Sequence, residues 1–380
     1  MLNVQNRTVY GPDHEAFRDT VRRFFERELV PHLDHWEEVG IIDRAFWTKA
    51  GEAGLLCPTV PEAYGGLGLD YTYNAVINEE LCYAGSSAGI SLQSDITAEY
   101  LVAYGTERQK HKWLPGMVSG EVVTAIAMTE PGAGSDLQGV VTTAVRDGDN
   151  YVINGSKTYI TNGQTADMVI VVARTAPEGG SKGTSLIIVE ADQPGFERGR
   201  NLDKIGQKAS DTSELFFNDL RTPVENLLGE ENRGFVQLMQ QLPQERLSIA
   251  VQTQAGAQRA FDEALAFVKA RKAFGKTVFD LQNTRFVLAD LQTRLQVGWS
   301  HLDWCLARHR DGELTAVEAA SAKLWHSELL WDACDAALQL HGGAGYMNEY
   351  PIARLWRDAR VSRIYGGTSE VMKEVISRSL

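Results

Sequence analysis

Two adjacent glycines, Gly366 and Gly367, interrupt RIYGGTSEVMKEVI at residues 363–376, between an aromatic and the start of a helical run. Positions without side chains let backbone approach another group closely. LPQERL at 242–247 lies inside a helical pattern that begins near Phe235. Pro243 withdraws a backbone N–H there, which frees the carbonyl near Met239 and predicts a kink. Glu245 and Arg246 follow at once, so the kink either aims a carboxylate inward or leaves an ordinary charged helix face. TEPGAGSDL at 129–137 sets Gly132 and Gly134 among the hydroxyls of Thr129 and Ser135, which makes an anion nest or a plain β-turn. KTYITNG at 157–163 offers a flat aromatic, Tyr159, beside a hydroxyl donor, Thr161, or else simply ends a strand in an Asn-Gly turn. RKAFGK at 271–276, with Gln282 beyond it, is a basic helix terminus, and QLHGGAGYMNEYP at 339–351 is a glycine-rich join between helices.

The elements that carry these residues fall into three regions. In PDHEAFRDTVRRFFERELVPHLD, Phe17, Val21, Phe24, Phe25 and Leu29 recur at helical spacing behind a Pro12–Asp13 start, and residues 12–115 read as helices. The glycine-rich PEAYGGLGLD, 61–70, lacks the strand-then-helix setting of a phosphate loop. From Glu121 onward come short β-branched runs at 122–128, 141–147, 151–161, 167–174, 184–191 and 213–219, punctuated by Asp-Gly, Asn-Gly and Gly-Gly. Strands without intervening helices predict an antiparallel sandwich or barrel. After Asn232 the stripe Phe235, Leu238, Met239, Leu242 opens a helical bundle, with further runs over 256–272, 281–310 and 315–340. The expected class is α+β: a helical domain over 1–120, a middle β domain over 121–231 and a C-terminal four-helix bundle over 232–380.

Bulk properties narrow the partners. A net charge of −13 argues against nucleic acid or an anionic membrane as the main surface partner, while leaving room for a local basic pocket. The four cysteines, Cys57, Cys82, Cys305 and Cys334, form no CxxC and no Cys/His cluster, so neither a disulfide framework nor a metal site is expected. MLNVQNRTVYGPDHEAFRD has no apolar core of a signal peptide and no Arg/Ser-rich presequence, and no apolar run approaches the ~18 residues of a membrane span. The expectation is a cytoplasmic chain with no membrane span.

Taken in order, TEPGAGSDL, KTYITNG, RKAFGK, QLHGGAGYMNEYP and IYGGTSE resemble the acyl-CoA dehydrogenase family, over essentially the whole chain. LPQERL together with IYGGTSE is most similar to its long-chain and isovaleryl-CoA dehydrogenase branch. The resemblance implies an FAD enzyme of fatty-acid β-oxidation that introduces a trans double bond between Cα and Cβ of an acyl-CoA. It further implies a homotetramer that passes electrons to an electron-transfer flavoprotein. By position, Met128, Thr129, Gly134, Ser135, Tyr159, Ile160 and Thr161 would line the flavin, with Tyr159 where many relatives carry Trp. Arg271, Phe274, Gln282, Gln339, Leu340, Gly342 and Gly343 would bind the diphosphate and adenine end, partly from a neighbouring subunit, and Thr368 and Glu370 would complete that site. Ser135, Ser181, Lys182, Arg246, Tyr365, Gly366 and Gly367 would meet the acyl-CoA.

The resemblance also gives the two glycines a meaning. Many family members carry the catalytic glutamate where this chain has Gly366. The long-chain and isovaleryl branch has Gly there and puts its base at the position of Glu245, so the carboxylate is relocated and Gly366 is expected to leave it room. The Gly366 N–H would bind the thioester carbonyl together with a ribityl hydroxyl. A carboxylate in a dry site suits α-proton abstraction, since burial raises its proton affinity and two donors on the carbonyl stabilise the enolate. Glu245 would take the pro-R α-proton as hydride leaves Cβ for flavin N5, with Arg246 holding that carboxylate or the pantetheine arm. Two other readings use the same scaffold: an idle acyl-CoA-binding subunit of a mixed oligomer, and an oxygen-using acyl-CoA oxidase. The intact flavin positions with Glu245 speak against the first. The chain length of 380, without the extra C-terminal domain typical of oxidases, speaks against the second.

Overall fold

The computed structural model describes residues 7–176 and 180–380; the side chain of Ser181 lies outside the described part. Six helices open the chain: α1 (Pro12–Glu28), α2 (Leu33–Val39), α3 (Arg44–Glu52), α4 (Tyr71–Tyr83), α5 (Ala98–Tyr104) and α6 (Glu107–Ser119). Pro12 takes the first position of α1, where its missing N–H costs nothing. The stripe of Val21, Phe24, Phe25 and Leu29 is buried against Trp36, Phe46 and Trp47. The glycine-rich loop ends at Asp70, whose carboxylate caps α4 by accepting from Thr72 N at 2.8 Å. Ahead of α5, residues Leu92–Thr97 form a turn of π-helix, a widened turn that re-aims the side chains it carries.

Eight strands follow: β1 (Thr124–Ala127), β2 (Thr143–Asp147), β3 (Asn150–Thr161), β4 (Met168–Arg174), β5 (Thr184–Glu190), β6 (Phe196–Asn201), β7 (Thr212–Pro223) and β8 (Leu227–Leu228). They form one sheet in the order β6–β7–β3–β2–β4–β5–β8, with β1 beside β4. Most neighbours are antiparallel. The exceptions are β1, which runs parallel to β4 with Ile126 opposite Ile170, and the Thr143–Arg174 pair of β2 and β4. The chain between β1 and β4 holds TEPGAGSDL and the β2–β3 hairpin, long enough for the crossover that a parallel pair needs. β4 and β5 are buried on both faces. Met168, Ile170, Val172, Leu186 and Ile188 face the N-terminal helices, and the alternate residues Val169, Val171, Ile187 and Val189 face the core shared with β3 and β7. β6, the charged FERGRN, is an edge strand with no apolar alternation to announce it.

One irregularity in β3 matters for function. Its pairing with β7 shifts register between Lys157 and Ile160, and Tyr159 there has φ +60°. Such a bulge turns one residue out of the alternation. Lys157 and Thr158 are buried, whereas Tyr159 stands 70% exposed.

The C-terminal region begins with α7 (Gly234–Ala270), a single 37-residue helix that runs unbroken through Pro243 and merges the two segments expected from the sequence. A short hairpin, β9 (Lys272–Ala273) and β10 (Lys276–Thr277), leads to α8 (Gln282–Arg310), α9 (Ala316–His341), α10 (Pro351–Ala359) and α11 (Ser369–Ser377). Small residues, Ala257, Ala260, Ala264, Ala333 and Ala337, build the buried core between α7 and α9. Among the described residues no helix is long and apolar enough to cross a membrane.

Candidate active site

Glu245 lies on α7 just after Pro243, and its side chain is only 7% exposed. Tyr100 on α5 donates from its hydroxyl to Glu245 Oε1 at 2.9 Å. Burial pushes the Glu245 carboxyl up to about 7, against the opposing pull of the Tyr100 bond and of the Arg246 charge. The turn that carries Glu245 is held from both sides by Asp95 of the π-turn. Gln244 Nε2 donates to the Asp95 backbone carbonyl at 2.8 Å, and Ser248 Oγ donates to Asp95 Oδ2 at 2.7 Å. Asn74 and Asn78 also donate to the Asp95 carboxylate. Arg246 points away from its neighbour, as consecutive helical residues do. Its buried guanidinium makes no hydrogen bond or ion pair among the described residues, so Tyr100, not Arg246, is what holds the carboxylate.

Gly366 and Gly367 both adopt left-handed backbone, φ +65° and +98°. The Gly366 N–H finds no acceptor among the described residues, and Gly366 borders a cavity of about 260 Å³. The room left by the missing side chain is not empty: a Cβ at Gly366 would overlap Ile249 Cδ1. Ile249 sits one turn beyond Glu245, so α7 supplies both the carboxylate and the apolar group that fills the vacated volume.

Along α7 the cavity is lined by Glu245, Ser248, Ile249, Gln252, Thr253 and Gly256, all on one helical face. Thr161 of β3, Gly366 and Tyr365 border the same space, as does the turn after α4 with its small residues Gly85 to Gly89. Three elements distant in sequence therefore bring a buried carboxyl, an unpartnered amide and a hydroxyl to one apolar chamber.

The loops beside Thr161 form an open cradle. Thr158 N donates to Thr129 O at 2.9 Å, and the buried Lys157 ammonium donates to Met128 O at 3.0 Å and to Glu130 Oε1 at 2.8 Å. Glu130 in turn accepts the amides of Val141 and Thr142. TEPGAGSDL and KTYITNG are thus knitted together while their outer faces stay uncovered. Ser135 and Gly134 are exposed, and a Cβ at Gly132 or Gly134 would meet nothing within 4 Å. Ile160 is buried beneath. Lys182 is exposed on the 3₁₀ turn Gly180–Gly183, a turn that lies close to Leu137–Gly139 at the end of this loop.

Other sequence candidates lie elsewhere. Arg271, Phe274 and Gln282 follow the far end of α7, whose last residue, Ala270, is 25 residues beyond Glu245 and hence roughly 37 Å along the axis. Gln339, Leu340, Gly342 and Gly343 end α9 at that same end of the bundle, where Phe267 stacks on His341 at 4.3 Å between ring centroids. Phe274 is 92% exposed there. Thr368 caps α11, its hydroxyl accepting from Val371 N at 3.2 Å, and Glu370 is exposed in the first turn.

Sequence reasoning missed Tyr100, Asp95, Ile249 and Lys323. The first three resemble ordinary helix residues and acquire roles only through contacts across the fold. Lys323 did carry a signal: in AASAKLWHSE its buried neighbours Ala319, Ala320 and Ala322 make it a lone cation on a buried helix face.

Family models for acyl-CoA dehydrogenases match the chain in three blocks: the N-terminal domain at residues 11–121, the middle domain at 125–220 and the C-terminal domain at 232–380. Over 383 residues the chain is 49% identical to the mitochondrial long-chain specific acyl-CoA dehydrogenase of Sus scrofa, spanning 100% of this chain and 89% of that one. The mitochondrial isovaleryl-CoA dehydrogenase of Solanum tuberosum is 37% identical over 377 residues, covering 98% and 91%. The crystal structure of an acyl-CoA dehydrogenase from Geobacillus kaustophilus superposes with a TM-score of 0.97 at 50% identity, over 98% of this chain and 99% of that chain. The chain belongs to the acyl-CoA dehydrogenase family of FAD-dependent oxidoreductases. The exposed Tyr159 ring, the Thr161 hydroxyl and the open Gly132–Gly134 backbone fit a flavin placed against β3.

Proposed function

We propose that this protein oxidises long-chain acyl-CoA thioesters to their trans-2-enoyl-CoA products, with Glu245 as the base that removes the α-proton. The observation that carries the reading is the convergence of Glu245 and the unpartnered Gly366 N–H on one cavity. The amide donates to the thioester carbonyl and acidifies the α-carbon, since a fixed donor stabilises the enolate charge as it develops. Glu245, poised near neutrality by burial and steadied by Tyr100, accepts the proton. FAD, when bound, supplies the two-electron acceptor for the hydride leaving Cβ. Tyr159 and Thr161 orient it, and the apolar wall formed by Ile249, Leu92 and Ile96 excludes water from the reacting carbons.

Cavity length supports a long acyl chain. From Glu245 to Gly256 the lined face of α7 spans roughly 16 Å. Tetrahedral carbons with ~1.5 Å bonds advance about 1.25 Å each, so an extended chain of about 13 carbons matches that face in length. The separation between Glu245 and the Arg271–Gln282 group supports a second copy of the chain contributing the diphosphate and adenine contacts, in keeping with a homotetramer. We take an electron-transfer flavoprotein as the electron acceptor and a cytoplasmic location.

Anaerobic mixing of the FAD-loaded enzyme with acyl-CoAs from butyryl to stearoyl tests the reading. The expected result is bleaching of the oxidised flavin, fastest with long chains, and recovery of the trans-2-enoyl-CoA. No bleaching with any member of the series contradicts it.

A further inference from the structure

Lys323 on α9 is fully buried, yet no carboxylate lies within ion-pair distance of it among the described residues. Its one hydrogen-bond partner is neutral: Nζ donates to the backbone carbonyl of Gly367 at 2.7 Å. A buried ammonium without a counterion is costly, and the surroundings add to the cost. Burial pulls Lys323 down to about 8, and the Arg246 guanidinium adds a like charge, while Glu328 and Glu370 attract from further away. Glu328 is already engaged, accepting from Arg363 Nε at 2.9 Å and from Ser369 Oγ at 2.6 Å. On α9 its same-face neighbours are Ala319, Ala320, His326 and Ser327, none of which offers a carboxylate.

What the lysine holds is the segment with the least intrinsic rigidity in the site. Gly366 and Gly367 both lack a Cβ and both sit at positive φ, so the chain loses more entropy on ordering there than at any other residue type. The Gly367 carbonyl is fixed by Lys323. The Gly366 N–H, two peptide units before it on a residue that borders the cavity, has no acceptor among the described residues.

We propose that Lys323 is a positioning residue for thioester activation: by anchoring the Gly367 carbonyl it keeps the Gly366 N–H aimed at the substrate carbonyl, and it places a fixed positive charge behind the enolate as that forms. This rests on the reading of Gly366 as the carbonyl donor. The lysine exchanges no proton with substrate. The α-proton goes to Glu245, and the resulting negative charge on the thioester oxygen is stabilised by the amide and by the cation behind it.

The test uses the FAD-loaded enzyme and a long-chain acyl-CoA with sulfur in place of the β-methylene. This probe can lose its α-proton but has no β-hydride to give. Its anion is read as long-wavelength charge-transfer absorbance against the oxidised flavin while pH is varied. Lys323→Met is expected to retain FAD and to bind the probe within about threefold of wild type. It should form about tenfold to a hundredfold less anion at a given pH, a smaller loss than the roughly hundredfold to thousandfold that follows removal of an oxyanion donor itself. A purely structural role would leave that titration unmoved, and an unmoved titration overturns the proposal. Should Lys323→Met fail to fold, Lys323→Arg and Lys323→Gln decide it: Arg is expected to titrate close to wild type and Gln to form less anion. Equal titrations for those two overturn the proposal. A wild-type enzyme that forms no anion with the probe overturns the reading of Gly366 and Glu245 itself, and this inference with it.

Discussion

The Tyr100 hydroxyl donates a 2.9 Å hydrogen bond to Oε1 of Glu245 across 145 residues of sequence, tying the N-terminal helices to the C-terminal bundle at the proposed base. The bond fixes the orientation of the carboxyl and favours its charged form, opposing the desolvation that raises it. Tyr100→Phe should therefore move the acid limb of the kcat/KM profile upward from about 7 by roughly one pH unit, at a stability cost of about 1 kcal/mol for one lost hydrogen bond. Steady-state rates from pH 5.5 to 9 measure this; an unmoved limb means that Tyr100 does not tune the base.

The same carboxyl has a consequence for stability. Its folded value of about 7 lies above the ordinary 4.5, so the native state holds the proton more tightly than the unfolded chain does. The penalty is nil below pH 4.5, grows as pH rises through 7 and is complete above it. Glu245→Gln removes it, so the variant should be more stable than wild type by up to ~3 kcal/mol at pH 8.5 and equal to it near pH 4.5. Denaturant midpoints at the two pH values are the check. A pH-independent difference would contradict the buried-carboxyl account.

Gly366→Ala combines two costs, a side chain at φ +65° and an overlap with Ile249 Cδ1. Together they should destabilise the protein by about 2–4 kcal/mol. Adding Ile249→Val removes the overlapping methyl but leaves the backbone strain, so the double variant should recover only part of the loss. Urea unfolding of the two single variants and the double variant measures the coupling.

How far the chain could be read without coordinates follows from the range of the interactions. Periodicity marked α1, α8, α9 and the strands β2, β3, β4 and β5, because amphipathic spacing is local. Glu245 stood out as the candidate base because Pro243 and the Gly-Gly pair are local oddities that point to each other through the family pattern. Tyr100, Asp95 and Ile249 have no local mark: each matters only because α5, the π-turn and α7 meet. The parallel pairing of β1 with β4 was equally hidden, since a strand's sequence does not say which neighbour it joins. β6 escaped because an exposed edge strand of charged residues lacks the alternation that identifies strands. That Ile249 lies against Gly366 was hidden for a similar reason, since it comes from another helix.

Gly256 closes the cavity face of α7 opposite Leu330 of α9, with a Cβ there 3.1 Å from Leu330 Cδ1. Gly256→Leu should crowd the distal end while leaving Glu245 and Gly366 untouched. The expected outcome is a loss of at least about tenfold in kcat/KM for palmitoyl-CoA, the scale of a few misfitting methylenes in an apolar pocket, with octanoyl-CoA little changed. A uniform loss across chain lengths would place the end of the acyl pocket somewhere other than Gly256.

The central claim is that Glu245 removes the α-proton at the site completed by Gly366. Its most direct test is anaerobic stopped-flow reduction with palmitoyl-CoA, comparing wild type with Glu245→Gln at matched FAD content. The account predicts rapid bleaching of the wild type and at least about a thousandfold slower bleaching in the variant, with acyl-CoA still bound, as expected when a general base is removed from a preorganised site. A Glu245→Gln protein that bleaches at the wild-type rate would contradict the claim and put the base elsewhere in the cavity.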